Sequence, residues 1–165
     1  MLPPIRQAVA VAILNPRGEV LFVRRSEEEM EFPNCWSLPA KTFGPDQSIL
    51  EVALWTARHK AGVEVSRLHW VNSDVDHRDL HRLRQILHPG VDPKAVEEYR
   101  LLMHVVEARL ESELPPRLPR FPEYQWRDVD QFYTYELAHT LYRSGQMGDC
   151  VRVYLEWRWD ISLKE

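Results

Sequence analysis

Two cysteines in 165 residues, Cys35 and Cys150, cannot build a disulfide framework or a cysteine-rich zinc site. Reduced thiols in a cytoplasmic protein are the expectation. Basic residues are in deficit: 21 Lys and Arg against 25 Asp and Glu leave a formal net charge of -4, with an isoelectric point near 6.0. A surface that grips nucleic-acid backbone carries the opposite excess, so no nucleic-acid partner is expected. Long apolar runs are also missing. The one near the start, Ala8 to Leu14, is too short to span a bilayer. It leads into the turn Asn15-Pro16-Arg17-Gly18 rather than a small-residue cleavage site, so neither a membrane partner nor a signal peptide is expected. There is no internal repeat and no low-complexity segment.

What is there is ordinary globular composition, 44% hydrophobic and 28% charged, in a length that suits one domain with a full core. Residues 8–14 (AVAVAIL) and 19–24 (EVLFVR) are Val- and Ile-rich runs joined by a turn signal, which predicts a β-hairpin. An acidic loop, 26–34, follows, and then a short extended piece, Cys35-Trp36-Ser37-Leu38-Pro39. Ser48 caps a helix with Glu51 three residues on, Ile49, Val52, Ala53, Leu54 and Ala57 carry it, and Gly62 ends it. Extended chain resumes at Val63 to Val65 and near Leu68 to Val71, and Leu101 to Leu110 is a further strand. Leu114 to Pro122 reads as irregular, and Tyr124-Gln125-Trp126 as a short strand. Asp130 caps a helix reaching Ser144, with Gly145 as its stop. A last helix, roughly Asp149 to Trp159, is apolar on more than one side, which points to a contact with a second copy in a homodimer.

The order of these elements, with Val20-Leu21-Phe22-Val23-Arg24-Arg25, Trp36-Ser37-Leu38-Pro39 and Ala61-Gly62-Val63, resembles the Nudix (MutT-like) family. The resemblance covers most of the chain as a single domain over 1–165, leaving Asn72 to Glu98 as an insertion. It implies an α/β/α sandwich with a mixed β-sheet, and a phosphate-side role for Arg24 or Arg25.

Family members carry the box G-x5-E-x7-R-E-U-x-E-E-x-G-U. Counted back from Gly62 without gaps, the box here runs from 41 to 63. Gln47 takes the place of its first Glu, Trp55-Thr56 of Arg-Glu, and His59-Lys60 of Glu-Glu. Helical spacing predicts that Thr56, His59 and Lys60 share one face. Carboxylates there would suit Mg2+ or Mn2+, which want oxygen ligands; a hydroxyl, an imidazole and an ammonium do not. No metal or other cofactor is therefore expected. Mg2+ or Mn2+ enters only if an atypical hydrolase rebuilds its site from carboxylates elsewhere.

Two expectations compete for the helix end. Arg58, His59 and Lys60 hold a phosphate or carboxylate directly, or they are ordinary solvated residues, which is the default for exposed charge. Trp36 and Phe43 flank the expected cleft, where each either stacks on a flat ring or packs in the core. Arg24 and Arg25 point to opposite faces of their strand, so one of them at most reaches inward. Glu51, Glu107 and Glu111 are the catalytic candidates of the atypical reading, and alternation along their strand sends Glu107 and Glu111 to solvent. His77 and His81 stand four apart in the insertion, with His88 beyond. Neighbouring Arg78, Arg82 and Arg84 argue for a basic, solvated face instead of a metal site. Three functions remain in view. They are a nucleotide- or phosphate-binding Nudix-like module without metal-dependent hydrolysis, an atypical hydrolase, and an interaction domain with no ligand.

Overall fold

The computed structural model describes residues 4–25, 35–75, 90, 99–111, 131–144 and 147–160. Seven strands form a mixed sheet: β1 (Ile5–Leu14), β2 (Val20–Arg24), β3 (Trp36–Ser37), β4 (Ala40–Phe43), β5 (Val65–Val75), β6 (Arg100–Leu110) and β7 (Gln131–Tyr133). The main order is β3-β2-β1-β6-β5, with β4 added beside β1 and β7 beside β2. Helix α1 (Ile49–Thr56), prolonged by a π-helical turn (Ala57–Ala61), covers one face. Helices α2 (Tyr135–Ser144) and α3 (Asp149–Arg158) cover the other. The α/β/α sandwich expected from the sequence is what forms.

The centre is the parallel pair β1–β6, in register from Ile5 with Arg100 to Leu14 with Arg109. A parallel pair is stable where both faces are covered, and β1 supplies the residues for that. Val9, Val11 and Ile13 pack with Val52, Ala53 and Ala57 under α1. Ala8, Ala10, Ala12 and Leu14 face Val151, Tyr154 and Leu155 of α3. The three small alanines leave room for the Tyr154 ring, which is fully buried. At the hairpin, Asn15 Oδ1 accepts from the N–H groups of Arg17 and Glu19, and Gly18 takes the positive φ of 79°. Beyond it β2 leaves β1, and β4 takes its place opposite Gln7 to Ala10.

Several expectations change. The helix predicted from Asp130 begins at Tyr135, because Gln131–Tyr133 pairs with the open edge of β2. Long-range pairing there overrides local helical spacing. The first four residues of the supposed insertion, Asn72 to Val75, are strand paired with β6. Register shifts between Ser66 and His69 and between Trp70 and Asn72, with Arg67 at φ 54°, break the alternation that would have marked β5 as one strand. On α3, Val151, Val153, Tyr154 and Leu155 are fully buried within the chain and Trp157 is exposed, so the expected homodimer contact would fall on Trp157. The histidines His77, His81 and His88, the segment 112–130 and the acidic run 27–29 lie outside the described residues. Among the described residues no helix is long and apolar enough to cross a membrane.

Gly62 ends the π turn in the left-handed region at φ 68°, so that its N–H and that of Val63 both return to Ala57 O. A Cβ there is strained. Gly62→Ala should cost about 1–2 kcal/mol of unfolding free energy, read as a lower urea midpoint; an unchanged midpoint contradicts this account of the helix end.

Candidate functional site

Ser48 caps α1 as expected, its Oγ accepting from Glu51 N–H. The other end departs from a simple helix. Hydrogen bonds of the i→i+5 type widen the last turn, and the residues predicted to share one face separate. Thr56 and Lys60 are buried, while His59 is exposed. Thr56 spends its hydroxyl proton on Val52 O at 2.6 Å. Lys60 is only 6% exposed, and its Nζ donates to Ala40 O of β4 at 2.8 Å. The expectation of solvation therefore fails for Lys60: its ammonium is built into the seam between α1 and β4.

His59 and Arg58 stay outside. The His59 ring stacks on Trp55 with centroids 4.5 Å apart, and its Nδ1 donates to Trp55 O. Lys41 Nζ lies 4.8 Å from the centre of the Trp55 ring, within cation–π range. Arg58 Nε reaches both oxygens of Glu64 at 3.1 Å. Three cationic-type side chains in the last turn suit the negative end of the helix dipole, where carboxylates would be opposed.

The other candidates do not converge there. Phe43 lies on the α1 side, packed against the core beneath α1 and tilted against the His104 ring at 5.8 Å. Trp36 packs on the opposite side, against the core under α2 and α3, and its O accepts from Gly148 N–H. Arg24 and Arg25 are both half-buried. The positive charge of Arg25 acts on Cys150, whose thiol burial nonetheless pushes up. Glu51 and Glu111 are exposed. Glu107 is not: the solvent-facing position expected for it is overturned. Its Oε2 accepts from Tyr154 OH at 2.7 Å, while His69 Nε2 and Arg158 Nε stand 3.7 and 3.8 Å from its carboxylate. Burial, then the Glu107 charge, drive the Tyr154 hydroxyl far above its ordinary range. This carboxylate fastens α3 to β6, on the sheet face away from α1.

Residues 4–145 match the NUDIX domain family. The chain belongs to the Nudix family. Over 132 residues it is 24% identical to the isopentenyl-diphosphate Delta-isomerase of Corynebacterium glutamicum, a match that spans 79% of this chain and 66% of the isomerase. In fold it is similar to the DR0079 protein of Deinococcus radiodurans, at 18% identity and a TM-score of 0.58, covering 89% of this chain and 81% of that one. It is also similar to the MutT protein of Methanosarcina mazei Go1, at 18% identity and a TM-score of 0.57, over 85% and 84% of the two chains.

The divalent ions implied by the Nudix resemblance do not fit the donor set of this helix end. A buried ammonium, a hydroxyl committed to Val52 O and an imidazole stacked on Trp55 are what it presents. Glu51, Glu107 and Glu111 lie on different surfaces, and no three His, Cys, Asp or Glu side chains among the described residues come together to hold a metal.

The sequence reading missed a polar chain on the same face. Trp70 Nε1 donates to Ser73 Oγ, which bonds His104 Nδ1, and His104 Nε2 bonds Gln7 Oε1 at 2.9 Å. The signal was present: on β6 the α1-side positions 102, 104, 106 and 108 read Leu, His, Val, Ala, so His104 is the polar exception. Burial lowers its pKa, which keeps the ring neutral near pH 7.

Lys60 supplies a direct test. Lys60→Glu sets carboxylate oxygens against Ala40 O in a buried position and should cost roughly 2–4 kcal/mol in chemical denaturation. Lys60→Met keeps the packing of the stem and should cost about 1–2 kcal/mol. Equal stability of Lys60→Glu and wild type would contradict the seam role of the ammonium.

Proposed function

We propose that this Nudix domain binds a nucleotide or a related phosphate-containing ligand and does not cleave it by a metal-dependent route. The observation that carries the reading is Lys60, whose ammonium is fixed on Ala40 O at the helix end where the box would place a carboxylate pair. A divalent ion needs anionic or neutral oxygen donors and is repelled by a cation already in place. Family-type hydrolysis depends on such ions to neutralise the diphosphate and to activate water. With that position taken by a structural ammonium, no ion activates water there, and ligand binding falls to the groups around it.

The ligand surface is the α1 side of the sheet, between Phe43 on β4 and the turn that carries His59 and Lys60. Positive and aromatic groups there, the half-buried Lys41 over Trp55 and the exposed His59 stacked on it, suit an anion attached to a flat ring. The named substrate of the isomerase relative, isopentenyl diphosphate, is likewise phosphate-bearing, which agrees with the ligand class. Cys35 and Cys150 as free thiols suit a cytoplasmic setting.

Turnover decides this reading. Purified protein incubated with nucleoside triphosphates, ADP-ribose, sugar nucleotides and dinucleoside polyphosphates, with Mg2+ or Mn2+, should give no product above the protein-free control by chromatography. Metal-dependent cleavage that is lost in Glu51→Gln or Glu107→Gln would replace it with a hydrolase whose carboxylates lie outside the box.

A further inference from the structure

Three strands join a hydroxyl, an imidazole and an amide into one hydrogen-bonded chain on the α1 side of the sheet. Helix α1 packs over Val106, Ala108 and Leu110 of β6. Beyond that cover, Ser73 of β5, His104 of β6 and Gln7 of β1 are half-buried. The proton positions follow from the two ends of the chain, since an indole N–H only donates and an amide oxygen only accepts. Ser73 Oγ therefore accepts from Trp70 Nε1 at 2.8 Å, and His104 Nε2 carries the ring proton that Gln7 Oε1 receives at 2.9 Å. Burial lowers the pKa of His104, so the ring is neutral and its Nδ1 is bare. The proton between Ser73 Oγ and Nδ1 is then the hydroxyl's own, and Ser73 is the donor.

A hydroxyl that donates to a bare imidazole nitrogen, with the imidazole held from behind by an acceptor, is the arrangement that activates a serine nucleophile. We infer that Ser73 is a nucleophile with His104 as its general base, open to acylation by small activated esters. Gln7 and Trp70 are positioning residues: Gln7 fixes the tautomer, and Trp70 turns the hydroxyl proton towards the ring. The site uses neither Lys60 nor a phosphate, so it stands apart from the ligand proposed above. In the reaction Oγ attacks the ester carbonyl while its proton passes to Nδ1. The Oγ–C bond forms, the C–O bond to the leaving alcohol breaks, and the imidazolium returns the proton to the leaving oxygen. Water then repeats the sequence, which releases the acid and restores the serine. A neutral amide oxygen supports an imidazolium less than a carboxylate does, so acylation is slow and favours esters with good leaving groups.

The test treats the full chain with para-nitrophenyl acetate at about pH 8, above the range in which an imidazole is charged, and maps acetyl groups by peptide mass after acid quenching. An acetyl group should appear on Ser73. Ser73→Ala should remove it, and His104→Gln, which leaves the hydroxyl in place, should slow its formation at least about tenfold. Trp70→Phe keeps the ring without the N–H and should slow it about threefold. Gln7→Glu puts a carboxylate behind the imidazole and should speed acylation about tenfold. A purely structural chain of hydrogen bonds gives no such gain, and neither does a variant that fails to fold. Acetyl groups confined to lysines or the N-terminus, Ser73 acetylated at the wild-type rate in His104→Gln, or no gain in Gln7→Glu would each overturn the nucleophile.

Discussion

From Ala8 onward, strand β1 has no solvent side. From Val9 to Ile13 it is completely buried, with valines and Ile13 under α1 and alanines under α3. Each face is sealed by apolar side chains worth roughly 1.5–3 kcal/mol apiece for the larger ones, so the middle of the sheet admits neither ligand nor water. Chemistry is forced to the margins of the sandwich. Two margins on the α1 side carry polar equipment: the seam where the end of α1 meets β4, and the start of β1, where Gln7 meets His104.

Those margins differ in how they hold charge. At the seam the π turn rotates Lys60 inward and leaves His59 and Arg58 outside, so one cation becomes part of the structure while its neighbours pair with Trp55 and Glu64. At the start of β1 the groups are neutral, with Gln7 Oε1 bonded to His104 Nε2 and, nearby, Gln47 Oε1 accepting from Gly44 N–H. The buried carboxylate Glu107 stands apart on the other face, bound to Tyr154 and flanked by His69 and Arg158.

The layers of the fold were readable because they rest on local rules. The AVAVAIL run, the Asn-Pro-Arg-Gly turn, the Ser48 cap and Gly62 each state their role within a few residues, and family resemblance supplied the order. What escaped depended on the third dimension. The π turn has no periodic signature, so spacing of three and four placed His59 beside Lys60, which the structure separates. Gln131–Tyr133 became strand because β2 offered an open edge far away in sequence. Glu107 follows the alternation of β6 to the expected side, but that side is covered by α3 and not by water. His104 was visible as a polar residue in an apolar series, yet its partners Gln7 and Ser73 come from strands 97 and 31 residues away.

The central claim is that an ammonium stands where this family's chemistry would call for a divalent ion. The most direct measurement is the dissociation constant of ADP-ribose by calorimetry, once with excess Mg2+ and once with EDTA. The account predicts the same affinity in both buffers to within about twofold, less than 0.5 kcal/mol. Binding that appears only with Mg2+, or tightens tenfold or more with it, would show that a metal completes the site and would contradict the account.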